Sequence, residues 1–222
     1  MELVLAAAVI IVLMVGSVVV SRYLHRQRVA ALTAWAQANG WTYQERAGEL
    51  ADRFVGVPFG VGFGRTATHL LTTTMGGRPV VAFEYSYKER SGSGKSQRTV
   101  KYTYMIVTTT TPASRPTLQI SHEHLGTRLL GAIGLDDLQL ESEEFNRTFR
   151  ISTDDPKFGY DVLHPRTMEW MLADTRAREL SVRFECADLL TWENGRLDPQ
   201  RAAWAAGYLL DLVDRVPQFV WK

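Results

Sequence analysis

Residues 91–96, SGSGKS, contain the Gly-Lys-Ser ending that is typical of a phosphate-binding loop. A Walker A loop also requires a glycine at position 89 and a helix directly after the loop, so that backbone N–H groups can bind phosphate oxygens. Position 89 is Glu89, and residues 97–107, QRTVKYTYMIV, have the alternation of a strand. The sequence therefore predicts a polar hairpin tip here and no nucleotide site.

Residues 60–64, GVGFG, have the glycine density of a dinucleotide-binding loop. Their spacing is G-x-G-x-G, whereas the dinucleotide fingerprint is G-x-G-x-x-G inside a βαβ unit, and no such unit surrounds them. We expect the glycines to allow a tight backbone path instead. The bulky rings of Phe54, Phe59 and Phe63 are expected to pack below that path.

A histidine pair, His122 and His124 around Glu123, would place two imidazoles on one face of a strand and could hold a metal ion. The spacing is not that of the H-E-x-x-H zinc motif, and no third ligand is evident nearby. His69 and His164 could join the pair only through the fold. We expect histidines at a strand end, with neither metal nor other cofactor, and keep a metal site as the alternative.

The other groups suited to catalysis lack the partners that catalysis requires. Acidic pairs at 136–137, 143–144 and 154–155 occur without an EF-hand loop or a glycosidase pattern. We expect solvated surfaces there, with a turn at the third pair. Cys186, the single cysteine, lies in the apolar run 181–190, which predicts a buried, unreactive side chain. The chain is therefore predicted not to be an enzyme.

Charge and cysteine content exclude further classes. The chain has 222 residues with 25 Lys and Arg against 24 Asp and Glu, a formal net charge of +1. Nucleic-acid-binding domains usually carry a strong basic excess, so we predict no nucleic-acid partner. One cysteine cannot form an intramolecular disulfide and fits a reducing compartment.

The N-terminal segment is predicted to cross a membrane. Residues 3–20, LVLAAAVIIVLMVGSVVV, contain no charge and would extend about 27 Å as a helix, close to the hydrocarbon thickness of a bilayer. A cleaved signal peptide is disfavoured, because no basic region precedes the run and no small-x-small site follows it. Arg22, Arg26 and Arg28 follow the run, which predicts an outside N-terminus and a cytoplasmic C-terminal part in a single-pass protein of the cell membrane.

The remaining residues predict an α+β fold: one domain with a mainly antiparallel sheet flanked by helices. Residues 1–21 form the anchor, 22–40 a juxtamembrane helix that ends at Gly40, and 41–222 the domain. The strands are predicted at 68–75 and 78–87 around a Gly76-Gly77 turn, at 98–111, 116–123 and 145–153, and as a second hairpin over 179–196. Helices are predicted at 27–39, 123–133, 165–176 and 199–216.

Three stretches resemble an uncharacterised family of bacterial single-span membrane proteins with a cytoplasmic domain of unknown function. They are PFGVGFGRTA at 58–67, GGRPVVAFEYSY at 76–87, and the block from LESEEFNRTFRI to DVLHPRTMEWML at 140–172. The resemblance covers most of residues 30–222. It implies a membrane-tethered cytoplasmic domain and carries over no catalytic or binding residue.

The predicted hairpin tip is basic, with a net charge of +4 over residues 88–101. A cation close to an anionic leaflet contributes about 1 kcal/mol of binding. We hypothesise that the tip and the arginines after the apolar run contact lipid headgroups or an acidic partner; the alternative is a solvated loop that aids solubility. The candidate contact residues are Arg22, Arg26, Arg28, Lys88, Arg90, Lys95, Arg98 and Lys101.

These features together predict a non-enzymatic, membrane-anchored accessory or scaffold protein. Residues 3–20 would lie in the lipid bilayer, and the domain would bind a protein partner in a membrane assembly. One alternative is a lipid- or small-ligand-binding domain at the inner leaflet, with a cavity between the sheet and the C-terminal helix. The other is a hydrolase or metal enzyme built on His122 and His124.

Overall fold

A computed structural model of the chain describes residues 1–92, 97–122 and 136–222, and only the backbone of residues 2–9, 11 and 12. Its described part is an α+β fold with a seven-stranded antiparallel sheet and helices, which confirms the predicted class. The elements are α1 (Glu2–Ala38), β1 (Thr42–Arg46), β2 (Phe63–Met75), β3 (Arg78–Ser91), β4 (Arg98–His122), β5 (Asp136–Asp137), α2 (Glu143–Thr148), β6 (Phe149–Thr153), α3 (Pro156–Val162), α4 (Pro165–Ala173), α5 (Thr175–Glu179), β7 (Val182–Asn194) and α6 (Pro199–Arg215).

Strand β4 is the axis of the sheet and has different partners along its length. Its first half pairs with β3 from Arg98 to Thr109, and its last residues pair with β6 from Leu118 onward. Strand β7 runs along the opposite edge of β4 and spans both halves. Strands β2 and β1 continue the sheet beyond β3, and β5 continues it beyond β6.

The point where β4 changes partner explains a difference from the sequence prediction. Two strands were expected, at 98–111 and 116–123, on either side of Pro112. The structure has one strand, but the pairing with β7 shifts between Thr110 and Arg115. Proline cannot donate to the ladder and is tolerated at such irregularities. The proline therefore marks a bulge within one strand and not a break between two.

The predicted second hairpin over residues 179–196 is wrong. That segment forms the single strand β7, because its partner is β4 and not its own second half. Cys186, predicted to be buried, is exposed and has a φ of 53° where the register of β7 shifts. The apolar run correctly predicts burial of residues 181–185 and 188–190, but not of Cys186 and Ala187 at the bulge.

The sheet has a core on each face. One face packs against α6 and the C-terminal part of α1, with Leu32 and Ala36 buried. Helix α6 begins as predicted at Asp198, whose carboxylate accepts a hydrogen bond from the N–H of Arg201. The cavity proposed between α6 and the sheet is instead filled by fully buried side chains. These are Ala202, Ala205, Ala206, Leu209 and Leu212.

The region between β5 and α3 is more helical than predicted. The strand expected at 145–153 begins only at Phe149, since Ser142 caps the short helix α2 before it. The turn expected at 154–156 is instead a helix start, because the side chain of Asp155 accepts the N–H groups of Lys157 and Phe158. The helix predicted at 123–133 lies outside the described residues.

Helix α1 runs without interruption from Glu2 to Ala38, where a separate helix at 27–39 was expected. It ends as predicted, with Gly40 at a φ of 72°. The part before Ser21 exposes the apolar side chains that the structure describes, among them Leu13 at 67%. Within the described residues, no helix meets the length and apolarity needed to cross a membrane.

Candidate functional site

A polar cleft of about 480 Å³ opens where α1 leaves the sheet. Helix α1 forms one wall, and β2, β3 and β4 form the other. The last lining side chain comes from the segment between β7 and α6. The lining residues are Ser21, Leu24, His25, Arg28, Thr68, His69, Glu84, Lys101, Thr103 and Arg196.

An ion pair closes the cleft at the end nearer the core. Nη2 of Arg28 donates to Oε2 of Glu84 at 2.6 Å and to the carbonyl oxygen of Leu197 at 3.3 Å. The N–H of Leu197 donates to the same Glu84 oxygen at 3.1 Å. Only 23% of the Arg28 side chain is exposed. Arg28, one of the candidate surface residues, therefore ties α1 to the sheet and is largely committed to that contact.

Two histidines lie side by side at the edge of the cleft. The Nε2 atom of His25 is 3.0 Å from a carboxylate oxygen of Glu45. The ring of His25 is 5.9 Å from the ring of His69, centre to centre. These contacts connect α1 to β1 and β2 and complete its attachment to the sheet.

His69 occupies a strained position that the sequence did not indicate. Its φ is 54°, in the left-handed region that non-glycine residues seldom adopt, and it lies where the β2–β3 register shifts. Its side chain is buried, and Nδ1 is 2.8 Å from the hydroxyl oxygen of Tyr43. Burial lowers the pKa of His69 and raises that of Tyr43. The ring is therefore held neutral beside the cleft.

The lowered pKa of His69 predicts a loss of stability in mild acid. The unfolded chain binds a proton at the ordinary pKa of 6.5, whereas the folded chain binds it only at lower pH. The free energy of unfolding should therefore fall as the pH drops below about 6.5. We expect His69→Asn, which does not titrate and tolerates a positive φ, to reduce this fall in urea titrations of the full chain. The control, His164→Gln, should keep it; an unchanged pH dependence in His69→Asn would contradict the assignment.

Basic residues of the β3–β4 hairpin face the cleft side of the sheet. Lys88 and Lys101 are cross-strand partners, and successive residues of a strand point to opposite faces. Lys101 lines the cleft with Glu84, so Lys88, four residues after Glu84, is on that same face. Both lysines are exposed. Together they extend a basic strip from the cleft toward the hairpin tip.

An aromatic side chain accompanies this basic strip. Phe63 was expected to pack below the glycine-rich segment, but it is 44% exposed and pairs with Lys88 across the β2–β3 ladder. The guanidinium carbon of Arg90 lies 5.6 Å from its ring centre. Phe54 and Phe59 are buried as predicted. The hairpin base therefore exposes an aromatic ring next to cations.

The other candidate contact residues have separate positions. Arg22 and Arg26 are exposed on α1, and Arg98 is exposed at the start of β4. Lys95 lies outside the described residues. Strand β4 begins at Arg98, two residues after Ser96. A Walker A loop would lead into a helix, so this context agrees with the predicted hairpin.

The glycine-rich segment is a structural turn, as the sequence predicted. Gly60, Gly62 and Gly64 have φ angles of 70°, 63° and 61°. A Cβ on Gly62 would lie 2.7 Å from the Tyr87 ring and closer still to the carbonyl oxygen of Lys88. The glycines thus let this segment approach β3.

The histidine pair gives no metal site in the described part of the chain. The ring of His122 lies edge-on to Phe149 at 6.2 Å, centre to centre, and His124 is outside the described residues. No group of three or more potential ligands comes together among the residues that the structure describes.

Comparison with known proteins bears on the fold alone. The chain is an α+β domain whose central antiparallel sheet carries an N-terminal helix on one face. No protein-family model and no curated protein matched it. A solved structure did: the crystal structure of the mycobacterial trehalose monomycolate transport factor A, TtfA, with a TM-score of 0.55 and 12% identity over 83% of this chain and 89% of that one. At this identity the likeness establishes a shared fold.

Proposed function

We propose that the chain is a non-enzymatic, membrane-anchored accessory protein whose cytoplasmic domain binds a protein partner in a membrane assembly. The observation that carries this proposal is the continuity of α1 from its apolar residues into the core of the domain. The described side chains before Ser21 are exposed and, apart from Ser17, apolar, as in a helix surrounded by lipid. Residues 3–20 would then lie in the bilayer, with the N-terminus outside.

The attachment of α1 would fix the domain close to the leaflet. Arg28 binds Glu84 on β3, and Ser21 lines the cleft with Lys101 on β4. Ser21 is nearer than Arg28 to the apolar part of α1, and Lys101 is nearer than Glu84 to the tip of the hairpin. The β3–β4 hairpin would therefore point toward the membrane beside the anchor, with its cations at headgroup level.

A role in transport is supported by the fold shared with a transport factor. TtfA is a mycobacterial trehalose monomycolate transport factor. The resemblance of three stretches of the sequence to a family of single-span membrane proteins supports a membrane anchor followed by a cytoplasmic domain. We accordingly propose an accessory role in a membrane assembly that handles an amphiphilic substrate.

Cross-linking in intact cells, followed by purification of the tagged full-length chain from membranes in mild detergent, tests the proposed partner. We expect one membrane protein to be recovered in a fixed ratio. Recovery of the chain alone, as a monomer, would contradict the proposal.

The proposed orientation predicts that the hairpin tip lies close to anionic lipid. A dye at Gln97→Cys, in a Cys186→Ser background, should transfer energy to headgroup-labelled lipid more efficiently in anionic than in zwitterionic nanodiscs. Arg90→Glu/Arg98→Glu should abolish the difference, because it reverses two charges beside the tip. A dye at Lys222→Cys instead should show little transfer in either lipid. Equal transfer from Gln97→Cys in both lipids would favour the solvated-loop alternative.

A further inference from the structure

We infer that the cleft between α1 and the sheet is a binding site for the phosphate headgroup of an anionic phospholipid from the adjoining leaflet. This inference rests on the proposed membrane anchoring. The cleft shares Lys101 with the basic hairpin but is a concave site with walls on both sides, where one lipid would be bound individually.

The charge of the cleft favours an anion. Glu84 is the only carboxylate among the lining residues, and Arg28 already neutralises it. Lys101 and Arg196 also line the cleft, are exposed, and form no ion pair with any residue that the structure describes. Two cations are therefore left to bind a phosphate.

The neutral polar groups of the cleft suit phosphate oxygens as well. Ser21, Thr68 and Thr103 contribute hydroxyl groups from both walls. A hydroxyl can donate to an anionic oxygen, and hydrogen bonds to charged oxygens are stronger than neutral ones. The site thus combines two unpaired cations with three donors around a space of about 480 Å³.

The position of the cleft selects a lipid as the source of that phosphate. Ser21 lies directly after the apolar run 3–20, so the cleft begins where headgroups would lie beside the anchor. Leu24 lines the cleft and is 57% exposed, and Val20 is exposed one turn earlier. A phospholipid whose phosphate is bound at Lys101 could therefore place its acyl chains along the apolar side of α1. A soluble phosphate compound would not use that apolar side.

Native mass spectrometry of the detergent-purified full-length chain tests this inference, with phosphatidylglycerol and phosphatidylcholine as probes. We expect one phosphatidylglycerol to bind selectively. Lys101→Gln/Arg196→Gln should weaken its binding about 10- to 30-fold, since each cation near an anionic headgroup is worth about fivefold. The control, Arg166→Gln/Lys222→Gln, removes two exposed cations away from the cleft and should bind as the unchanged chain does.

Each other outcome would overturn the inference. Equal binding of both lipids, or undiminished phosphatidylglycerol binding by Lys101→Gln/Arg196→Gln, would exclude a phosphate site in the cleft. Displacement of the lipid by millimolar glycerol phosphate would identify a soluble phosphate compound as the ligand instead. The partner purification is independent of all three results, so failure here is distinguishable from failure of the proposed function.

Discussion

Replacing Arg183 by methionine should lower the free energy of unfolding by about 3–5 kcal/mol, because it leaves a buried carboxylate without its counter-charge. Arg183 is fully buried, and its Nε is 3.1 Å from Oε2 of Glu185. Glu185 in turn accepts the N–H of Val55 at 2.9 Å. The pair thus connects β7 to the segment before β2, which covers the core on the sheet face opposite α6.

The surroundings of Arg183 explain why one partner cannot be removed alone. Its guanidinium carbon lies 4.9 Å from the ring centre of Trp192 and 5.7 Å from that of Phe59. Burial lowers the pKa of Arg183 to about 10 and raises the pKa of Glu185. Both directions show that the charged forms lose hydration. Their mutual attraction, the hydrogen bond from Val55 and the aromatic rings beside the guanidinium offset part of that loss.

Urea unfolding of the full-length chain in mild detergent, followed by tryptophan fluorescence, measures this effect. The double variant Arg183→Met/Glu185→Leu should recover most of the loss, since an apolar pair removes both desolvated charges. Arg150→Met, in the exposed pair with Asp137, should cost no more than about 1 kcal/mol. A cost for Arg183→Met as small as that of Arg150→Met would contradict the argument.

Replacing Gly62 by alanine should cost about 3 kcal/mol, the sum of about 1–2 for the left-handed backbone and the remainder for displaced neighbours. The new Cβ would collide with the carbonyl oxygen of Lys88 and with the ring of Tyr87. The carbonyl belongs to β3, so relief requires movement of the strand and not only of a side chain.

Gly60 offers a matched control for this substitution. Its φ of 70° resembles the 63° of Gly62, but a Cβ there would meet no atom within 4 Å. Gly60→Ala should therefore lower the free energy of unfolding only by the cost of the left-handed backbone conformation, about 1–2 kcal/mol. The same unfolding measurement compares the two; equal costs would show that backbone conformation, and not the contact with β3, explains the glycine.

Local patterns in the sequence predicted the elements whose causes are local. The Gly76-Gly77 turn joins β2 to β3, and Asp198 caps α6, because these signals act within a few residues. The three partners of β4, β7 among them, depend on residues far apart in the chain. One long strand and the two strands of a hairpin show the same alternation of apolar and polar residues, so the pattern could not distinguish them.

The candidate site was predictable only as a charge pattern. The sequence identified the cations of the hairpin, but the cleft exists because α1 crosses the sheet face that carries Lys101. Arg28 was grouped with the surface arginines, since nothing in the local sequence indicates Glu84 as its partner. His69 and Arg183 gave no signal: a positive φ and a buried cation both result from tertiary contacts.

The unbroken helix α1 has a mechanical consequence. A helix of 37 residues is about 55 Å long and resists bending, and no flexible linker separates its apolar part from the core. If residues 3–20 cross the bilayer as we propose, a change in anchor tilt would swing the whole domain, as a rigid lever does. A partner that binds the anchor within the membrane could thus change which face of the domain contacts the leaflet, without contacting the domain itself.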